Sequence, residues 1–173
     1  PTKCKPIDDL LGGGIDAGTI TQIYGEAGSG KTNLCLQLAI ECVKSGKKVI
    51  FIDTEGFSPE RFSQIAGENA KELAQEIFVF EPLTFEAQWA AIKDAEKLIK
   101  KDVGLIIIDS LVSYYRFELD EERSLHLKRE LANQVTHLLG IARKYDIGVA
   151  ITNQVYTDVA TDELKAVGGT VLE

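Results

Sequence analysis

Two hydrophobic patterns take turns along this chain. Short apolar runs, the signature of strands buried on both faces, occupy residues 47–53, 77–80, 103–109 and 147–153, and residues 19–24, rich in β-branched side chains and ending at Gly25, read as a further strand. Between them, apolar residues recur every three or four positions, as on a helix that buries one stripe. Residues 33–43 carry that spacing and stop near Gly46. Ser58 followed by Pro59 reads as an N-cap and first-turn proline, opening a helix that ends around Gly67. Phe85, Trp89, Ile92, Ala95 and Ile99 predict a helix over 84–101. Leu127, Leu131, Val135, Leu138 and Ala142 predict another over roughly 121–145. Strands alternating with helices imply an α/β domain: a mostly parallel central sheet with helices on both faces. In such sheets ligands sit at the carboxyl ends of the strands.

Composition narrows the class. The 173 residues, 45% hydrophobic and 27% charged, suit one globular domain spanning 1–173 with a sizeable core. No apolar run approaches 18 residues and the first residues lack a signal-peptide pattern, so no membrane partner is expected and the expected address is cytoplasmic. Of the three cysteines, Cys35 and Cys42 lie about 10 Å apart along a helix axis, too far for a disulfide or a shared metal ion. They read as free thiols, and His126 and His137 as surface or helix-packing residues. The net charge of −8 argues against a surface built for tight, sequence-independent DNA binding. Any nucleic-acid role must rest on a local patch, or be weak, or be indirect.

The chemistry concentrates in one octapeptide. Gly25-Glu26-Ala27-Gly28-Ser29-Gly30-Lys31-Thr32 fills every fixed position of G-x-x-x-x-G-K-[ST], lies between a strand and a helix, and leads into Asn33. Its glycines let successive backbone N–H groups face inward as an anion nest at a helix N-terminus. Lys31 then neutralises the β- and γ-phosphates, and the Thr32 hydroxyl reaches a Mg²⁺ ion. Three later strand ends carry matching groups: Asp53-Thr54-Glu55, Asp109-Ser110 and Asn153-Gln154. Asp109, after a run of apolar residues, pairs with Thr32 as a Mg²⁺ ligand; its plain alternative is a helix-capping aspartate. Glu55 can orient or deprotonate the attacking water, or be an ordinary surface glutamate. Gln154 can hydrogen-bond the γ-phosphate and pass its presence to the following loop.

The order of Ile7-Asp8-Asp9-Leu10-Leu11-Gly12-Gly13-Gly14-Ile15, the phosphate loop, Asp53-Thr54-Glu55-Gly56 and Ile151-Thr152-Asn153-Gln154-Val155 resembles that of RecA-type recombinases, in particular their archaeal branch. The resemblance covers essentially the whole chain and implies a RecA-like P-loop NTPase core. It implies ATP with Mg²⁺ as the ligand, Glu55 acting on the hydrolytic water, Lys31 and Gln154 as its catalytic companions, and Arg61 stacking on adenine. It implies single-stranded DNA contacts through loops near 115–125 and 155–170, recombination or repair proteins as partners, and assembly head to tail through the ATPase interface. KaiC-like ATPases share the Leu10–Gly14 stretch, so an ATP-dependent assembly switch is the alternative, and a nucleotide-locked interaction module is a third.

Departures from that pattern bear on what the core does. The N-terminal helical domain of the full recombinases is expected to be absent, and the family's further C-terminal strands are expected to be truncated or shortened. The second-loop region, 156–165, is acidic with a single lysine, and in the first Arg116 and Arg123 stand among Glu118, Asp120, Glu121 and Glu122. Such loops grip a phosphate backbone poorly. An accessory role is expected rather than strand exchange by this chain alone.

Overall fold

The computed structural model describes residues 1–118, 124–158 and 163–167. Five parallel strands form the central sheet in the order β1-β5-β4-β2-β3, made of β1 (Ile20–Gly25), β2 (Lys48–Asp53), β3 (Ile77–Phe80), β4 (Val103–Asp109) and β5 (Gly148–Asp158). The chain thus has the expected RecA-like α/β architecture. Side chains of a strand alternate between faces, and each face of this sheet buries its own set. Ile50, Ile52, Ile106, Ile108, Val149 and Ile151 pack under α5 (Phe85–Leu98) and α7 (Ser124–Tyr145). Val49, Phe51, Leu105, Ile107 and Ala150 pack under α2 (Lys31–Lys44) and α3 (Pro59–Ala66). Ile106, Ile107 and Ile108 are all fully buried, which is why β4 reads as a continuous apolar run.

Helix boundaries follow local chemistry. Ser58 caps α3, its Oγ accepting the Arg61 N–H at 3.2 Å, and the helix stops at Gly67, which has φ +72°. Thr84 caps α5 in the same way through the Ala87 N–H at 3.0 Å. That helix ends at Leu98, short of the expected 101, because Ile99 turns extended to lead into β4. A 3₁₀ turn (Gly67–Asn69) and the short α4 (Ala70–Ala74) carry the chain from α3 to β3. Two short helices escape the periodicity argument because neither completes two turns: α1 (Lys5–Leu10) and α6 (Ser113–Glu118).

The largest departure from expectation is at β5. The apolar run ends by Asn153, yet the strand continues to Asp158 and pairs antiparallel with β6 (Glu163–Ala166). Residues 155–158 and 163–166 therefore form a hairpin where a loop is expected. The extension is defined by its backbone pairing, from Val155 with Ala166 to Asp158 with Glu163. Two ties join it to the sheet: the Val167 N–H donates to Gln154 O at 3.0 Å, and Asn153 Nδ2 donates to Val167 O at 2.8 Å. The first expected DNA loop falls partly on α6 and the start of α7; residues 119–123, with 159–162 and 168–173, lie outside the described residues.

Candidate functional site

The register of the sheet brings the polar strand ends into one row. Gly25 pairs with Gln154 across β1 and β5, and Asp53 with Asp109 across β2 and β4. The phosphate loop leaves β1 at this end and turns into α2. Gly30 is the N-cap in the left-handed region at φ +92°, and Gly28 has φ +76°, conformations that an L side chain would strain. α2 begins with no side-chain cap and no acidic residue in its first turn, so its free N–H groups and positive dipole end are left for an anion. Lys31 Nζ donates to Gly25 O at 3.0 Å and Glu26 O at 2.8 Å, which folds the lysine over its own loop. A cavity of about 270 Å³ is lined by Ala27, Gly28, Gly30, Lys31, Thr32, Asn33, Glu55, Asp109 and Gln154. Structure thus gathers the phosphate loop, Asp109, Glu55 and Gln154 around one space.

Asp109 is 2% exposed. Its Oδ1 accepts a hydrogen bond from the Thr152 hydroxyl, and Oδ2 has no protein partner. Burial holds its carboxyl above the usual carboxylate range, opposed by the hydrogen bond from Thr152 and the nearby Thr32 hydroxyl and reinforced by the charges of Glu55 and Asp53. A buried carboxylate oxygen left unpaired beside the Thr32 hydroxyl is a donor set that suits a hard divalent cation such as Mg²⁺. The capping alternative for Asp109 is not what the geometry provides. Because the folded state binds the Asp109 proton more tightly than the unfolded chain, its charge costs stability at neutral pH. That cost grows as pH rises from the ordinary carboxylate value through the raised one. Asp109→Asn keeps the acceptor for Thr152 and removes the charge. Without nucleotide its melting midpoint at pH 7 should be no lower than the parent's, with any advantage vanishing below about pH 4. Its stabilisation by ATP with Mg²⁺ should be lost, a pair of results that thermal melts against pH and ligand can check.

Asp53 has a role the sequence did not separate from its neighbours. Its Oδ1 accepts the N–H groups of Glu55 at 3.1 Å and Gly56 at 3.0 Å, and its Oδ2 accepts that of Phe57. The carboxylate is spent on holding the turn that presents Glu55. Glu55 Oε1 in turn accepts from Ser113 Oγ at 2.9 Å and Gln154 Nε2 at 3.1 Å, and Gln154 Oε1 accepts from Arg116 Nη1. Ser113, Thr152 and the hydroxyl of Thr54, which bridges Ser110 N and O at 2.8 Å each, had no sequence signal beyond lying near a strand end. Arg61 lies beside the start of α2, its Nε donating to Asn33 Oδ1 at 2.9 Å and its Nη1 to Gln64 Oε1 at 2.9 Å. Of the residues outside the site, Cys4, Cys35 and Cys42 are free thiols, burial pushing Cys42 up to about 11 and Cys35 well above its usual range. His126 is exposed and His137 packs edge-on against Trp89. Among the described residues no helix is long and apolar enough to cross a membrane.

A phosphate loop, an acidic β4 end and a glutamate–glutamine pair on a sheet ordered in this way define a RecA-type P-loop core. Residues 1–173 match the Rad51 family throughout, and the chain belongs to it. It is 60% identical over 173 residues to the DNA repair and recombination protein RadB of Methanococcoides burtonii, covering 99% of this chain and 77% of that protein. The RadB proteins of Methanoculleus marisnigri and Archaeoglobus fulgidus are 53% and 50% identical, with 99% and 100% of this chain and 77% and 78% of theirs covered. A solved structure described as the crystal structure of the RadB recombinase superposes with a TM-score of 0.79 at 37% identity, over 99% of this chain and 77% of that one. These likenesses support the recombinase reading over the KaiC-like assembly switch.

Proposed function

We propose that this chain is an ATP-binding, slowly hydrolysing RecA-family paralogue that serves homologous recombination and DNA repair as a single ATPase core in the cytoplasm. The observation that carries the proposal is the cavity in which the unpaired Asp109 Oδ2 and the Lys31 ammonium face Glu55 and Gln154. The N–H groups from Gly28 through Ser29 to Asn33, preceded by Gly25, Glu26 and Ala27, bind the phosphate chain, and Lys31 offsets its charge. Thr32 and Asp109 hold Mg²⁺, which when bound would supply charge stabilisation at the β- and γ-phosphate oxygens. Glu55 orients the attacking water and takes its proton. Gln154 hydrogen-bonds the γ-phosphate, and Arg61, already tethered beside Asn33, stacks its guanidinium plane on adenine. The relatives' names as DNA repair and recombination proteins support DNA and repair proteins as partners. We propose further that this DNA is single-stranded and that copies of the chain meet head to tail.

DNA would be met by the segments near 115–125 and 155–170, where Arg116 and Arg123 are outnumbered by acids in the first and a single lysine stands in the second. Affinity for single-stranded DNA in the presence of ATP is therefore expected to be low and to fall with salt on a shallow slope, about −0.7 for each phosphate contact. Fluorescence anisotropy with a labelled oligonucleotide across a salt series measures it. No binding even at low salt would contradict a direct DNA role.

A further inference from the structure

We propose that Ser113 is a positioning residue for Glu55, its hydroxyl latching the carboxylate and so limiting how fast bound nucleotide is cut. This inference rests on Glu55 acting on the hydrolytic water. Ser113 does not line the phosphate cavity; it lines a neighbouring one of about 410 Å³ together with Thr54, Glu55, Arg116, Phe117 and Gln154. Glu55 and Gln154 belong to both, so the carboxylate stands on the partition between them.

Ser113 pulls that carboxylate from a fixed point. It opens α6 at 9% exposure, directly after the fully buried Leu111 and Val112. The segment behind it is tied to the Glu55 turn, because the Thr54 hydroxyl bridges Ser110 N and O. The Ser113 donor and the Glu55 backbone are thus parts of one rigid unit. The second donor, Gln154, is partly exposed and is itself held by Arg116, which is open to solvent.

Both donors land on the same oxygen, Oε1. A carboxylate oxygen offers about two lone-pair sites, so Oε1 is saturated and a water can be engaged only through Oε2. A carboxylate held by two hydrogen bonds is also not free to turn toward an in-line water, and the hydrogen bond from the buried hydroxyl competes little with solvent. Among the described residues, removing the Ser113 hydroxyl leaves Gln154 as the remaining donor to Oε1 and frees the head group.

Single-turnover hydrolysis and nucleotide affinity, measured separately on the full chain, test the latch. Ser113→Ala is expected to raise the cleavage rate about three- to tenfold, with affinity for ATP unchanged. Ser113→Thr, which restores the hydroxyl, should return to the parent rate, and Ser113→Ala combined with Glu55→Gln should show no gain. Unchanged or slower cleavage in Ser113→Ala with ATP still bound would overturn the latch, as would a gain that survives Glu55→Gln. Failure of the nucleotide site itself would look different: Lys31→Ala would then bind and cleave ATP as well as the parent.

Discussion

Lys31→Ala is expected to abolish most of the stabilisation that ATP and Mg²⁺ would confer, while leaving the fold in place. Lys31 donates from its ammonium to the carbonyls of Gly25 and Glu26, and the second of these hydrogen bonds is exposed, so deleting it costs the fold little. With triphosphate bound the same group exchanges those carbonyls for anionic oxygens. A charge-assisted hydrogen bond contributes about 1.5–3 kcal/mol, and two of them convert to a loss of affinity of roughly a hundredfold or more. At a ligand concentration near 100 times the parent dissociation constant, the parent gains about 2.7 kcal/mol, a shift in melting midpoint of about 5–10 °C for a domain of this size. In the variant that shift falls to about 1 °C. Equal shifts in both proteins would mean that the loop does not hold the phosphates.

Glu55→Gln separates holding from cutting. Glutamine keeps an oxygen able to accept from Ser113 Oγ and Gln154 Nε2, and it leaves the Asp53 contacts to the turn untouched. It cannot take a proton. Positioned general bases contribute about 10²–10⁴ in rate, so hydrolysis should fall by that order while ATP affinity stays within about twofold. Single-turnover assays beside a binding titration measure both. Loss of affinity together with rate would assign Glu55 to binding instead.

How much of this was visible in the residues depends on what each feature is made from. The phosphate loop is local: eight consecutive positions set its backbone and its charge, and the structure forms it between β1 and α2 as the pattern implies. Asp109 was legible because Leu105, Ile106, Ile107 and Ile108 mark β4 as buried, and the first polar residue after them must stand at the strand end. β2, β3 and β5 likewise followed their apolar runs, and β1 its β-branched residues. What stayed hidden is held by contacts between distant segments. Ser113 and Glu55 are 58 positions apart, Thr152 and Asp109 43, and none of these pairs leaves a periodic trace. Asp53 looked like another acid at a strand end, and only the three N–H groups converging on it show that its carboxylate is structural. The β5–β6 hairpin escaped because it is defined by backbone pairing between residues 155–158 and 163–166, whose sequence shows no apolar run to mark it.

The measurement that tests the central claim most directly is ATP turnover by the parent chain and by Glu55→Gln, each with and without single-stranded DNA. A RecA-type core working through this site hydrolyses slowly alone and faster with DNA, and in Glu55→Gln both rates drop to near background. No hydrolysis by the parent under either condition, or DNA-stimulated hydrolysis that persists without the Glu55 carboxylate, would contradict it.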